Sequence, residues 1–215
     1  MRFTGQSPQS SAICSSMLAI PLEADWEIEI GGVAPVIDPN WAGFVDLRAN
    51  PELAPHLLET ADVPALADAL IRLNASSSPV WTSKCDVWLP ESFDPDELDA
   101  PGRADSFSVA CYIDLLPADS HEGFSQESAI RWCLRVCSPL HSTVLRSCRA
   151  DLILRRAVFA PQASRNCLNI GVTVYLTACG PTRVAAFATL SSALVVVGDS
   201  ILRMDVTETA AAKLQ

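Results

Sequence analysis

Residues 79 to 89 read PVWTSKCDVWL, which puts Lys84, Cys85 and Asp86 side by side between Trp81 and Trp88. Burial can bring a lysine toward neutrality and make it a base or imine former, and a cysteine with a lowered pKa is a nucleophile. Lys84 is conspicuous because arginine supplies 13 of the 15 basic residues, the other lysine being Lys213. Alternation separates the cluster. In an extended chain Trp81, Ser83, Cys85, Val87 and Leu89 share one face, and Val80, Thr82, Lys84, Asp86 and Trp88 share the other. Cys85 is then expected in the core, with Lys84 and Asp86 about 7 Å apart on the opposite face.

The segment SFSVACYIDLL repeats the pattern, with Phe107, Val109, Cys111, Ile113 and Leu115 on an apolar face and Ser106, Ser108, Tyr112 and Asp114 on a polar one. Two amphipathic strands in succession read as an antiparallel pair. Tyr112 and Asp114 then fall beside Lys84, Asp86 and Trp88, and these five residues are the candidate ligand pocket or interface. Cross-strand ion pairing is the structural role that would account for Lys84 and Asp86 without a ligand.

Other chemistry is weaker. Cys133, Cys137, His141 and Cys148 form a C-x3-C-x3-H-x6-C run whose soft ligands would suit zinc, but Pro139 should break a helix before His141, and no CxxC or HExxH pair is present. His56, His121 and His141 are the available bases for a cysteine nucleophile, with nothing to place them near a thiol. The acidic loop with Glu91, Asp94, Asp96, Glu97 and Asp99 lacks the glycine and closing glutamate of a calcium loop and reads as solvated. GxxxxGK[ST], GxGxxG and GxSxG are all absent. The sequence implies no cofactor.

The elements that must position these residues follow from period and caps. WEIEI from Trp26, with Trp26, Ile28 and Ile30 opposite Glu27 and Glu29, is a strand with one wet face, ended by Gly31-Gly32. VPALADALIRLN is a helix capped by Asp62, with Pro64 in its first turn and Leu66, Leu70 and Leu73 at helical spacing. A second helix is capped at Ser125 and stops near Pro139, with Ile130, Cys133, Leu134 and Cys137 on its apolar stripe and Arg131 and Arg135 away from it. RADLILRRAVF and CLNIGVTVYLTAC are strands, the latter with Leu168, Ile170, Val172, Val174 and Leu176 opposite Thr173, Tyr175 and Thr177. Residues 182 to 197 suit a helix by their flanking glycines and spacing, but Thr189, the serines and Val195 to Val197 tip the balance to two strands joined at GPT. ILRMDV is then a last strand.

The expected class is α+β, a mostly antiparallel curved sheet packed against two or three helices. A flexible terminus over 1–12 precedes a single domain over 13–206, within which 13–75 is either integral or an appended N-terminal layer, and 207–215 is a flexible tail. An apolar fraction of 49% and a charged fraction of 19% are those of a folding chain. No export signal and no membrane span is apparent, the run from Val184 to Val197 being interrupted and short. Eight cysteines without such a signal read as free thiols in a reducing cytoplasm.

Charge is divided along the chain: 21 acids against 5 bases up to residue 127, then 9 arginines against 3 aspartates from 128 to 206. The halves can neutralise each other within the fold or between protomers. With a net charge of −10, nucleic acid is a poor partner. The expected function is a cytosolic, non-catalytic binding or assembly protein, homo-oligomeric, that engages itself or another protein. The alternative is an enzyme or carrier holding a small apolar ligand or acyl-type substrate in a sheet-lined pocket.

Overall fold

The structure, a computed structural model, describes residues 22–29, 36–38, 42–94, 96–98, 107–118, 124–159 and 169–204. The termini, Cys14, Ile30 to Gly32, Asp99, Ser106, His121, Cys167, Leu168, Asp205 and Val206 lie outside that range.

Strands β1 (Glu23–Ile28), β2 (Val36–Ile37), β3 (Val80–Trp88), β4 (Phe107–Pro117), β5 (Cys148–Phe159) and β6 (Asn169–Gly180) join helices α1 (Pro64–Leu73), α2 (Gln126–Leu140) and α3 (Arg183–Leu202). The sheet order is β1-β5-β6-β4-β3, with β2 also paired to β5. The pairs β3 with β4, β4 with β6 and β5 with β6 are antiparallel, whereas β1 and β2 run parallel to β5. The molecule is thus α+β with a mixed, mostly antiparallel sheet and three helices, and the sheet is not strongly curled.

All three helices cover one face of the sheet. Strand residues of a single parity, such as Val109, Cys111, Ile113 and Leu115 of β4 or Ala150, Leu152 and Leu154 of β5, form one core with helix side chains. In α1, Leu66, Leu70 and Leu73 are almost wholly buried, and each contributes about 1.5–3 kcal/mol relative to exposure. Pro64 opens α1 as expected, but Val63 holds the cap position without a side-chain bond, and Asp62 instead pairs with Arg183 at 3.2 Å.

Helix α2 is capped by Ser125, whose hydroxyl accepts the Ser128 N–H at 3.2 Å. Its buried stripe is Ala129, Trp132, Cys133, Val136, Cys137 and Leu140, so the stripe is rotated from the one expected and Leu134 is half exposed. The presence of Trp132 decides the rotation: burying it against Phe124, at a ring separation of 5.6 Å, outweighs burying Leu134. The helix stops at Leu140, one residue past Pro139 and before His141, as expected.

Residues 183 to 202 are a single helix, α3, rather than two strands, and Ile201 and Leu202 end it rather than begin another strand. The hydroxyls that favour strands are satisfied inside the helix: Thr189, Ser191 and Ser192 donate to the carbonyls of Ala185, Phe187 and Ala188. Thr182 caps it by accepting the Ala185 N–H at 3.1 Å. Gly180 lets the chain turn from β6 into α3, since a Cβ there would lie 2.7 Å from the Ala186 nitrogen. By length and composition α3 is apolar enough to cross a membrane, but its Ala186, Leu190, Ala193, Leu194, Val197 and Ile201 are buried in the core beneath the sheet.

Candidate functional site

Among the described residues no α-helix lies on the opposite face of the sheet, though a short 3-10 turn, Asp96–Leu98, does. Two small apolar clusters cover its ends, Ile37, Trp81, Leu116 and Ala157 with Phe44 at one, and Leu98 and Cys179 with Phe93 at the other. Between them lies a polar and aromatic strip that includes the residues singled out by alternation.

Strand β3 reaches this strip through an irregularity. Thr82 pairs with Leu115 and Lys84 with Asp114, leaving Ser83 as the extra residue of a bulge. The alternation therefore changes phase within the strand. Val80 belongs to the helix-side core, and Trp81 to the opposite cluster, the reverse of a uniform reading, while Cys85 and Val87 pack on the helix-side core as expected. Lys84, Asp86 and Trp88 look out on the helix-free face.

The antiparallel register sets Lys84 opposite Asp114, Asp86 opposite Tyr112, and Trp88 opposite Ala110. Strand β6 adds Tyr175 beside Tyr112 and Thr173 beside Asp114. Trp88, Tyr112 and Tyr175 form an aromatic trio with ring separations of 5.8 to 6.3 Å. Arg155 of β5 lies over the Tyr175 ring at 5.4 Å and pairs with Glu29 at 2.5 Å. The five candidate residues are thus brought together, but among the described residues no ion pair joins Lys84 to either carboxylate. Asp114 instead accepts the Thr173 hydroxyl at 2.6 Å, and Asp86 accepts the Val87 N–H at 2.7 Å. Hydrogen bonds to fixed neighbours satisfy each carboxylate without ordering a long lysine side chain.

Burial dominates the acid–base behaviour. It raises Asp114 above its ordinary value against the opposing Thr173 hydrogen bond and the charges of Arg155 and Lys84. The Tyr112 phenol is pushed up to about 12 by burial, then by Asp114 and Asp86. Cys85 is pushed up to about 12 by burial, then by Glu59, Asp86 and Asp114. Burial likewise raises Cys111, Cys133, Cys137 and Cys148. These thiols are held protonated, the opposite of what nucleophilic catalysis needs.

Lys84, Asp86 and Tyr112 line a cleft of about 590 Å³, and Thr82, Ser83 and Cys85 line it too. Its far wall comes from residues 37 and 38 and from the stretch 43–59, chiefly Ile37, Phe44, Val45, Leu47, Leu57 and Glu59. Two contacts hold that wall. The Arg48 guanidinium stacks 4.0 Å above the Trp81 ring while pairing with Asp46, which holds the Asp46 carboxyl below its ordinary value. The Thr60 hydroxyl bonds the Ala54 and Leu57 carbonyls, each at 2.9 Å, and ties together two short 3-10 turns, Pro51–His56 and Leu58–Thr60. Asp114 lines a smaller neighbouring void with Arg155 and Thr173, and Trp88 flanks the cleft through its contact with Tyr112.

Alternation already put Thr173 and Tyr175 on a polar face, but nothing local showed that this strand would lie against Tyr112 and Asp114. The far wall had no periodicity to find. The suggested metal run does not assemble: Cys133, Cys137 and Cys148 are buried among apolar side chains, and His141 bonds the Ala24 carbonyl. Among the described residues no three His, Cys, Asp or Glu side chains are grouped to hold a metal ion. This chain matches no protein-family model, no curated protein and no solved structure.

Proposed function

We propose that this is a non-catalytic binding protein whose site is the cleft beside β3. The cleft of about 590 Å³ is the observation that carries the reading. Its size falls in the range of ligand-binding pockets, and it opposes an apolar wall to a few polar groups, the arrangement that buries a ligand and fixes its orientation. The raised thiols and phenol favour binding over reaction. A reducing, cytosolic setting is supported by the free thiols of Cys85, Cys111, Cys133, Cys137 and Cys148.

Intrinsic tryptophan fluorescence tests the reading, because Trp81 and Trp88 flank the cleft. Amphipathic probes are expected to shift the emission of the native chain. Phe44→Ala combined with Asp86→Ala is expected to weaken that binding by about tenfold or more. Equal binding by the double variant would remove the cleft as the site.

A second reading, self-assembly through the end of the sheet where β3 finishes and β4 begins, is favoured by the exposed apolar side chains there. Trp88, Leu89 and Phe107 are 37%, 51% and 52% exposed. Sedimentation showing a monomer for the native chain would dismiss it.

A further inference from the structure

The cleft follows the edge of a strand, and that geometry identifies what it receives. β3 is the last strand in the sheet order, so one of its edges faces no partner strand among the described residues. Up to the bulge this edge is occupied by the end of α1. Asn74 accepts the Thr82 N–H at 3.0 Å and donates to the Thr82 hydroxyl at 2.6 Å, and the Ser78 hydroxyl donates to the Val80 carbonyl at 2.8 Å. From Ser83 to Trp88 the strand pairs with β4 alone among the described residues, and the Val87 N–H is bonded by the carboxylate of its own neighbour Asp86.

Thr82, Ser83, Lys84, Cys85 and Asp86, five successive residues, all line the cleft. Thr82 and Cys85 point to the helix side, and Lys84 and Asp86 to the other. A cavity on one face of a sheet meets only alternate residues, so a cavity that meets every residue lies against the strand's edge. The facing wall supplies Phe44, Leu47 and Leu57 together with Asp38 and Glu59. Among the described lining residues, Glu59 and Asp86 make the rim acidic beside one cation, Lys84.

We infer that the cleft accepts an extended peptide that adds to the free edge of β3 as a further strand, its side chains alternating between apolar and basic. The inference rests on the binding reading above. Main-chain hydrogen bonds to Ser83 through Trp88 would supply affinity, and pockets on either side of the strand would select the side chains. A second copy of β3 is a poor occupant, because the bulge at Ser83 bends the strand and the acidic rim would meet its own charge. A basic, partly apolar segment of another protein complements both the edge and the rim.

The probes are an acetylated hexapeptide of alternating lysine and valine, its glutamate–valine counterpart, two lysine–valine versions N-methylated on the odd or the even residues, and dodecylamine. With the full chain, the lysine–valine peptide is expected to bind and to slow amide hydrogen exchange in residues 84–88. The acidic peptide, at least one methylated peptide and the Asp86→Lys variant should each bind about tenfold or more weakly. Methylated peptides that both bind as tightly as the parent overturn strand addition. Dodecylamine binding without any peptide binding overturns it too while leaving the cleft as a binding site, and failure of every probe removes both readings. Because the peptide comparisons use the unaltered protein, a misfolded variant cannot decide the outcome.

Discussion

Asp114 shows how a single residue on the helix-free face is balanced. Burial pushes its carboxyl above the ordinary value, whereas the Thr173 hydroxyl, Arg155 and Lys84 pull the other way and do not win. A carboxyl whose folded pKa exceeds its unfolded one binds protons more tightly when folded, so stability falls as pH rises from the ordinary value of 3.8 through the folded pKa. Asp114→Asn keeps an oxygen to accept the Thr173 hydroxyl and removes the charge. We expect the variant to be more stable than the native chain at pH 7, with the difference vanishing below pH about 4. Urea unfolding across that range checks the sign. Lys84 and Asp86, by contrast, are exposed at the cleft's mouth, where alternation placed them.

At the scale of elements, the joint between α1 and β3 positions the cleft. Asn74 ends α1, bonds the Leu70 carbonyl at 2.8 Å, and clamps Thr82 through both backbone and hydroxyl. It is buried, as is Thr82, so losing the amide leaves polar groups without partners inside the protein. Asn74→Ala is expected to cost about 2–3 kcal/mol in chemical denaturation. It should also weaken cleft binding, since the bulge at Ser83 would no longer be held. The α1 period, the alternation of β4 and β6 and the Ser125 cap were legible because each is a local pattern with a local physical cause. The bulge was not, because Ser83 is an ordinary strand residue with no glycine or proline to mark it. The ambiguity of 183–202 has a similar origin: β-branched and hydroxyl side chains resemble a strand until their hydroxyls bond back to the preceding turn.

Over the whole molecule, the division of charge along the sequence is met in part by ion pairs inside the fold. Arginines of the basic half pair with acids of the acidic half, Arg149 with Glu23, Arg155 with Glu29 and Arg183 with Asp62, and Arg72 pairs with Asp199 in the reverse sense. Two of these pairs follow from β1 lying parallel beside β5. The core also accounts for the cysteines. Cys111, Cys133, Cys137 and Cys148 should stay unmodified by a thiol reagent in native buffer and react fully in guanidinium, as mass spectrometry of the labelled peptides would show. Fast native labelling of any of the four would contradict their burial.

Sequence alone determined the class of most elements and which residues share a face, because period and caps act over a few residues. It thereby set Lys84, Asp86 and Trp88 on one side of β3 and Tyr112 and Asp114 on one side of β4. Tertiary structure decided the remainder: that β6 brings Thr173 and Tyr175 against them, that β3 is an edge among the described strands, and that Ile37, Phe44, Leu47, Leu57 and Glu59, from a part of the chain without periodicity, stand opposite to make a cleft. Those arrangements join residues far apart in the chain, and they are selected by burial of the whole sheet face rather than by any local preference.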